Sequence, residues 1–148
     1  IGIDTKTEKF NTCNENGAEF SVSPMENDLK NKIADFSKSN DLDVVIDFVS
    51  SKSSLELGCS ILGKGGRLVT LGGSGEQFLA NSADMLVKEL ELIGSRYCTK
   101  QELKESLDLY ARGLIEPLVS VKTDFDGAEG LHDKIEKGEI TGRAGILI

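Results

Sequence analysis

The chain has little of what most metal and disulfide sites require, with three cysteines and one histidine among its 148 residues. Cys13, Cys59 and Cys98 are widely spaced and form no C-x-x-C pair, so the sequence indicates neither a disulfide framework nor a cysteine-rich metal site. His132 is the single histidine, and it cannot complete a common zinc site with these cysteines. The pattern predicts three reduced thiols in a cytoplasmic protein.

Positive charge and long apolar runs are also scarce. The 17 lysines and arginines face 25 aspartates and glutamates, which gives a formal net charge of −8. This balance disfavours binding to a phosphate backbone, so no nucleic-acid partner is expected. No apolar run approaches the roughly 20 residues of a membrane-spanning helix, so no membrane partner is expected either. The length suits one domain, or one domain with a small attached lobe.

Short apolar segments alternate along the chain with stretches of helical periodicity. The apolar segments are IGID, AEFSV, DVVIDFV, RLVTL and LELIGSRY, followed after Pro117 by LVSVKT and RAGILI. Strands that alternate with helices of about a dozen residues predict a parallel α/β sheet. Val44, Val45 and Ile46 are contiguous and β-branched, which predicts a central strand covered on both faces.

Capping boxes indicate where three helices begin. The segments are TKTE at 5–8, SPME at 23–26 and TKQE at 99–102. The first helix is expected to end near Gly17, and the second to present Met25, Leu29, Ile33 and Phe36 on one face. A further helix is expected to end at GKGG, residues 63–66, and shorter helices are expected near 85–88 and 128–135.

Asp4 follows the first apolar segment, and two interpretations of it are open. In a doubly wound dinucleotide-binding fold, an acidic residue at the carboxyl end of the second strand binds the adenosine ribose hydroxyls and repels a 2′-phosphate. Lys9, one helical turn further on, could reach the same ribose or a phosphate. Alternatively, Asp4 complements the N-terminus of the following helix. Strand–Asp–helix arrangements are common, so spacing alone favours this second interpretation.

Two other features near strand ends match ligand-binding motifs less closely. Asp47 lies near the carboxyl end of DVVIDFV, but no partner for acid catalysis is visible, so a role in packing or positioning is predicted. GKGG and GGSG (residues 72–75) depart from G-x-G-x-x-G, because Leu68 and Phe78 stand where the third glycine is required. GGSG is therefore expected to approach a ligand through its backbone rather than to cradle a phosphate.

Three segments of the chain match the sequence pattern of a known protein family. The longest is DVVIDFVSSKSSLELGCSILGKGGRLVTLGGSG, and KELELIGSRY and KGEITGRAGILI follow it. Together these segments resemble the medium-chain, zinc-type alcohol dehydrogenase family over nearly the whole chain. The resemblance implies α/β architecture: a Rossmann-type doubly wound parallel sheet that lacks its first strand, with a small C-terminal α+β tail. Residues 1–98 would form an incomplete cofactor-binding domain, and residues 99–148 a connecting helix and the C-terminal segment of the catalytic domain.

The same resemblance implies a set of cofactor-binding residues. They are Asp4 and Lys9 at the adenosine ribose, Phe48 and Val49 beside the two riboses, Leu71 and Gly72 at the carboxamide end, Ser95 and Tyr97 at the edge of the nicotinamide, and Arg143 at the pyrophosphate. A planar guanidinium suits that last contact. Ser50 stands where the family frequently has glycine, which we expect to be a minor change. No catalytic or metal-binding residue is implied within this span.

The family's first strand, its glycine fingerprint and its zinc ligands would all precede Ile1. The first strand is central in the usual strand order, so its absence would leave two unpaired strand edges. Such edges favour aggregation unless another strand or chain fills the gap. The sequence is therefore expected to be a fragment of a longer enzyme.

The function implied by the resemblance is NAD-dependent hydride transfer between an alcohol and an aldehyde or ketone. Zinc is expected in the full-length protein, bound by residues outside this span. Two alternatives are open: a non-catalytic nucleotide-binding or interaction module, and a zinc-independent quinone reductase. Family members usually pair through an edge of the cofactor sheet, so a homo-oligomer formed through LELIGSRY is expected. His132 is expected to be a surface residue.

Overall fold

A computed structural model describes residues 1–38 and 41–148, which form two compact units, Ile1–Tyr97 and Cys98–Ile148. The strands are β1 (Gly2–Ile3), β2 (Ser21–Val22), β3 (Leu42–Asp47), β4 (Leu62–Thr70), β5 (Glu91–Gly94), β6 (Val119–Thr123) and β7 (Arg143–Ile146). The helices are α1 (Phe10–Glu15), α2 (Leu29–Phe36), α3 (Lys52–Ile61), α4 (Ser82–Lys88), α5 (Lys100–Ala111) and α6 (Ala128–Glu136), and a 3-10 turn at Thr7–Lys9 precedes α1. The described strand pairs are parallel, which confirms the predicted α/β class.

The first unit contains two parallel sheets. Strand β1 pairs with β2, and β4 lies between β3 and β5 in a three-stranded sheet. The register aligns Asp47, Thr70 and Gly94, the last residues of β3, β4 and β5, so the three strands end at the same edge. Within the described part of this unit, β1 and β3 each pair with one strand only, which leaves the two open edges that were predicted.

Two apolar clusters hold the first unit together. One joins Val22 of β2 to Leu29 and Ile33 of α2. The other packs Leu55 of α3 against Leu62 and Leu68 of β4, which are 1% and 2% exposed. Because α3 connects β3 to β4, the second cluster fixes this crossover helix against the sheet that it links.

The two faces of the three-stranded sheet differ in exposure. Val45 packs into the cluster beneath α3, whereas Val44 and Ile46 are 48% and 56% exposed. The prediction that this strand is covered on both faces is therefore wrong. Successive side chains of a strand point to opposite faces, so α3 covers one face of β3 while the described part of the first unit leaves the other open.

The first helix begins differently from its prediction. The 3-10 turn and α1 have no side-chain cap among the described residues, so the predicted capping box of Thr5 is wrong. Asp4, one residue before Thr5, makes the side-chain contact instead, because its Oδ1 atom accepts the N–H of Lys6 at 2.8 Å. The helix ends as predicted near Gly17, whose φ of +98° is a conformation that glycine adopts without strain.

The second helix begins later than its prediction. Ser23 accepts the N–H of Met25 at 3.2 Å within a turn, and α2 starts only at Leu29, without a side-chain cap among the described residues. Leu29 and Ile33 form the buried face as predicted, but Met25 lies outside the helix and is exposed. The predicted start at Pro24 is wrong, because the N–H groups of Met25 and Glu26 both bind Ser23 in a turn that precedes the helix.

Strand β4 is longer than its prediction. Helix α3 ends at Ile61, just before GKGG as predicted, but GKGG itself belongs to the strand. The register passes from the pair Leu42–Leu62 to the pair Val44–Arg67 across an irregularity at this segment. Helix α4 confirms the short helix predicted near residues 85–88. The Asn81 side chain caps it by accepting the N–H of Ala83 at 2.9 Å.

The second unit contains the capping box that is confirmed. Thr99 Oγ1 accepts the N–H of Glu102 at 3.2 Å, and the Glu102 carboxylate accepts the N–H of Thr99 at 2.6 Å. This second bond lowers the pKa of Glu102. In the same unit β6 pairs with β7, and Leu131 of α6 is buried. Among the described residues, no helix has the length and apolarity to cross a membrane.

We expect Leu68→Ala to lower the free energy of unfolding by about 2–5 kcal/mol, because it leaves a cavity beneath α3. Leu79→Ala is the matched control, since it removes the same atoms from a side chain that is 79% exposed. Its effect should stay within about 0.5 kcal/mol. Urea denaturation followed by circular dichroism measures both variants, and equal losses would contradict the placement of Leu68 in the core.

Candidate functional site

The turns after β3, β4 and β5 leave from the same edge of the sheet. In open parallel α/β sheets, ligands bind beside the carboxyl ends of the strands. We call the residues at this edge, 47–50, 70–74 and 95–97, the strand-end site. Six of the predicted cofactor contacts lie on the three turns that follow these aligned strand ends. They are Phe48, Val49, Leu71, Gly72, Ser95 and Tyr97.

Asp47 organises the first of these turns. Its Oδ1 atom accepts the N–H of Val49 at 2.8 Å and the N–H of Ser50 at 2.9 Å, and its side chain is buried. Its backbone carbonyl accepts the N–H of Leu71 at 2.8 Å. One residue therefore holds both the turn after β3 and the start of the segment after β4, which agrees with the positioning role predicted for it.

Ser50 adopts a φ of +56°, in the left-handed region that favours glycine. Its Oγ atom is hydrogen-bonded to Thr70 Oγ1, and its carbonyl accepts a bond from Ser74 Oγ. With the N–H bound to Asp47, every polar group of this buried residue has a partner, which offsets the cost of the backbone conformation. The serine adds a bond from this turn to the end of β4 that glycine could not make, and the expectation of a minor change stays a prediction.

Gly72 brings the two turns into close contact. A Cβ atom at this position would lie 2.6 Å from both the carbonyl carbon and the carbonyl oxygen of Val49, and 2.7 Å from Ser50 Oγ. A side chain does not fit there while the turn after β3 stays in place. At Gly72 the close backbone approach is made to this turn, and the approach of GGSG to a ligand stays a prediction.

Apolar side chains beside the contact are open to solvent. Phe48 and Val49 are 72% and 66% exposed, and Leu71 is 42% exposed. An aromatic ring and two aliphatic side chains form an uncharged surface next to backbone polar groups, a combination that suits the planar ring and sugar of a nucleotide. The strand-end site can therefore pack against such a ligand.

Ser95 and Tyr97 follow β5. The N–H of Ser95 donates to the carbonyl of Thr70 at 2.9 Å, which ties the third turn to the end of β4. Tyr97 is exposed with a φ of +57°, and the guanidinium carbon of Arg96 lies 4.7 Å from its ring centroid. The Tyr97 hydroxyl also accepts a bond from Arg96 at 3.5 Å, so both contacts of the ring come from this arginine.

Asp4 and Lys9 form an ion pair after β1. Lys9 Nζ lies 3.2 Å from Asp4 Oδ2, and the two side chains are 30% and 31% exposed. Asp4 Oδ1 also accepts the N–H of Lys6, so Asp4 contacts the start of the following helical segment, which is the interpretation that spacing alone favoured. The carboxylate is nevertheless partly exposed, so it can accept a bond from a further donor.

Arg143 belongs to the second unit. It begins β7, its N–H donates to the carbonyl of Leu118 at 2.7 Å, and it is exposed. Its contact with a pyrophosphate stays a prediction. His132, on α6, is exposed as expected.

The described residues do not form a metal centre. No group of three or more histidine, cysteine, aspartate or glutamate side chains among them could hold an ion. All three cysteines are free, and burial raises the pKa of the Cys59 thiol, which disfavours the thiolate that binds metals.

Parallel α/β units whose polar turns meet at the carboxyl ends of their strands form a class of nucleotide-binding domains. The chain belongs to the zinc-binding dehydrogenase family, whose model matches residues 1–112. The match spans the whole first unit and α5, and it confirms the resemblance inferred from the sequence.

Individual relatives match along the chain. The NAD-dependent alcohol dehydrogenase of Sulfolobus acidocaldarius is 27% identical over 145 residues, which cover 97% of this chain and 41% of that protein. An alcohol dehydrogenase of Geobacillus stearothermophilus is 25% identical over 148 residues, which cover 100% of this chain and 43% of that protein. The crystal structure of the Aeropyrum pernix alcohol dehydrogenase has a TM-score of 0.84 and 27% identity, and the match covers 96% of this chain and 40% of that one.

These matches fix the fold and the extent of the similarity. The likeness to the Aeropyrum pernix structure confirms the predicted Rossmann-type architecture. The chain spans about two fifths of the length of the curated relatives.

We expect Gly72→Ala to lower the free energy of unfolding by about 1–3 kcal/mol, because the added methyl group must displace the backbone of Val49. Gly73→Ala is the matched control, since a Cβ atom there has no heavy atom within 4 Å. Its change should stay within about 0.5 kcal/mol. Thermal denaturation measures both, and a similar response of the two variants would contradict close contact between the turns.

Proposed function

We propose that this chain supplies the NAD-binding part of a longer dehydrogenase, which transfers hydride between an alcohol and an aldehyde or ketone. The observation that carries the proposal is the Asp4 carboxylate, held after β1 by Lys6 and Lys9 and still partly exposed. Such a carboxylate accepts bonds from the ribose hydroxyls of NAD and repels the 2′-phosphate of NADP. Family membership and a relative named as NAD-dependent support the assignment.

The strand-end site would hold the nicotinamide half of NAD. Its exposed apolar side chains fit a planar ring beside a sugar. The proposed contacts are Phe48 and Val49 at the riboses, Leu71 and Gly72 at the carboxamide, Ser95 and Tyr97 at the ring edge, and Arg143 at the pyrophosphate. NAD, when bound, supplies the hydride acceptor, and the residues of this chain bind and orient it.

Zinc, if the whole protein uses it, takes its ligands from outside this span. The described residues hold no cluster that fits the ion, so no step of the reaction is assigned to a metal. A zinc-independent quinone reductase with the same cofactor site is the alternative activity. Elemental analysis of the natural polypeptide distinguishes them, because stoichiometric zinc would exclude the zinc-independent enzyme.

We also propose that a further strand of the natural polypeptide lies between β1 and β3. Both strands have an unpaired edge within the described residues, and unpaired edges promote aggregation. The buried Oδ2 atom of Asp47 has no hydrogen-bond partner among the described residues, a costly arrangement that a donor from an added segment would relieve. The intact mass of the natural polypeptide should then be at least about twice the 16.0 kDa of this chain. A mass near 16.0 kDa would contradict the added strand.

The proposed assembly is a homodimer through the free edge of β5. This strand is exposed along its length and pairs with β4 on one side. Arg67 Nε donates to the Glu91 carboxylate at 2.5 Å, a bond that lowers the pKa of Glu91. Addition of the same strand from a second copy would satisfy the backbone groups of this edge. Sedimentation of the natural polypeptide as a monomer at micromolar concentration would contradict the dimer.

A non-catalytic nucleotide-binding or interaction module is the second candidate. The observation that favours it is the exposed position of His132 together with the lack of a metal cluster among the described residues. A stable natural polypeptide of this length with no affinity for either nicotinamide cofactor would support the interaction module over the enzyme.

The proposed substrate is a small alcohol or carbonyl compound, and the proposed compartment is the cytoplasm. The three free cysteines suit a reducing compartment. Secretion of the natural protein from its cells would contradict this placement.

We expect Asp4→Asn to weaken NADH binding by about tenfold or more and to reduce the preference for NADH over NADPH. Asparagine keeps an acceptor for the N–H of Lys6 but loses the charge that favours ribose hydroxyls and repels a 2′-phosphate. Fluorescence titration of the natural polypeptide with both cofactors measures the change.

Glu8→Gln is the matched control for this experiment. It removes the same charge from an exposed carboxylate four residues away, so it reports the general electrostatic effect. Equal changes in the two variants would show that Asp4 makes no ribose contact. If Asp4→Asn leaves the affinities for NADH and NADPH unchanged, Asp4 contacts only the start of the following helical segment.

A further inference from the structure

We propose that Ser50 and Thr70 are positioning residues, whose bond locks the turns after β3 and β4 into one rigid ledge for the cofactor. The ledge comprises residues 48–50 and 71–74. The inference rests on the proposed function, because the position of the ledge affects NAD binding only if NAD is held there. Its test therefore begins with a measurement that needs no cofactor.

The exposed residues of the ledge depend on their backbone for their position. Phe48 and Val49 are both more than half exposed, so side-chain packing holds them weakly. Their turn is held instead by the N–H groups of Val49 and Ser50, which both donate to Asp47 Oδ1. The N–H of Ser50 therefore supplies one of the two bonds that fix where Phe48 and Val49 lie.

Ser50 would not hold this conformation by itself. Its left-handed backbone is disfavoured for any residue with a side chain, and it persists where surrounding bonds determine it. The Oγ bond to Thr70 is one of these bonds, and it reaches the last residue of the neighbouring strand. A glycine would adopt the same turn more easily but would leave the Thr70 hydroxyl without this partner.

The two turns are tied together around Ser50 at three points. Thr70 binds its hydroxyl, Ser74 Oγ donates to its carbonyl, and Gly72 packs against Val49 and the Ser50 hydroxyl. Because Thr70 is opposite Asp47 in the register, these contacts follow directly on the strand pairing. The ledge therefore moves as one body with the ends of β3 and β4.

Hydrogen exchange tests the link in the natural polypeptide without cofactor. Thr70→Val removes the hydroxyl and keeps the branched shape, and Ser50→Gly removes the other partner and keeps the turn. Each should speed exchange of the Val49 and Leu71 amides by about three- to tenfold, the range expected for one hydrogen bond. The double variant should be no faster than the faster single variant, because both break the same bond. Unchanged exchange in both single variants would overturn the link.

Cofactor titration then tests the positioning role. Thr70→Val and Ser50→Gly should each raise the NADH dissociation constant by about three- to tenfold. The double variant should show the larger single factor rather than the product of the two. NADH affinity that stays at the wild-type value, or factors that multiply, would overturn the role.

Ser60→Ala is the matched control for both measurements. It removes a partly buried hydroxyl whose bond, to the carbonyl of Leu57 at 2.7 Å, lies within α3. Exchange at the ledge and NADH affinity should stay at wild-type values in this variant, and changes equal to those in Thr70→Val would overturn the role of the Ser50–Thr70 bond. A wild-type protein that binds no NADH would overturn the proposed function and the positioning role together, whereas faster exchange in Thr70→Val would still establish the link itself.

Discussion

The register that places Asp47 opposite Thr70 is the constraint on which the core and the candidate site both depend. Two residues earlier, the same pairing puts Val45 beside Leu68, beneath α3. A slip of one residue would turn the side chains of β3 to the opposite faces. It would move Val45 out of the apolar cluster and separate the Ser50 turn from the end of β4. The register that buries Val45 therefore also sets the relative positions of the turns in the strand-end site.

The stabilising contacts of the first unit are distributed unevenly. On one face of the sheet, α3 buries Leu55 against Leu62 and Leu68. On the other face Val44 and Ile46 are exposed, in a class of sheet that is normally covered on both sides. Other groups also lack a partner among the described residues. They are the unpaired edges of β1 and β3 and the buried Oδ2 atom of Asp47. All of these features suit a polypeptide in which further residues complete the sheet.

Local sequence patterns predicted the elements well and their partners less well. TKQE gives the expected capping box at Thr99 because both of its bonds lie within four residues. In TKTE the N–H of Lys6 binds Asp4, which lies outside the motif, and the segment forms a 3-10 turn without a side-chain cap among the described residues. The contiguous valines of β3 indicated a strand correctly, but burial of both faces depends on neighbours that no local pattern specifies. The bond between Ser50 and Thr70 joins residues 20 apart, and it becomes visible only when the strand register is known.

The measurement that tests the account most directly is hydrogen exchange of the natural polypeptide with and without saturating NADH. If the strand-end site and Asp4 hold the cofactor, NADH slows amide exchange at residues 48–50 and 71–74 and in the turn after Asp4. Exchange at α6, which has no proposed cofactor contact, provides the internal reference. Binding of NADH without protection at these turns would place the cofactor elsewhere on the protein, and no binding at all would contradict the dehydrogenase assignment.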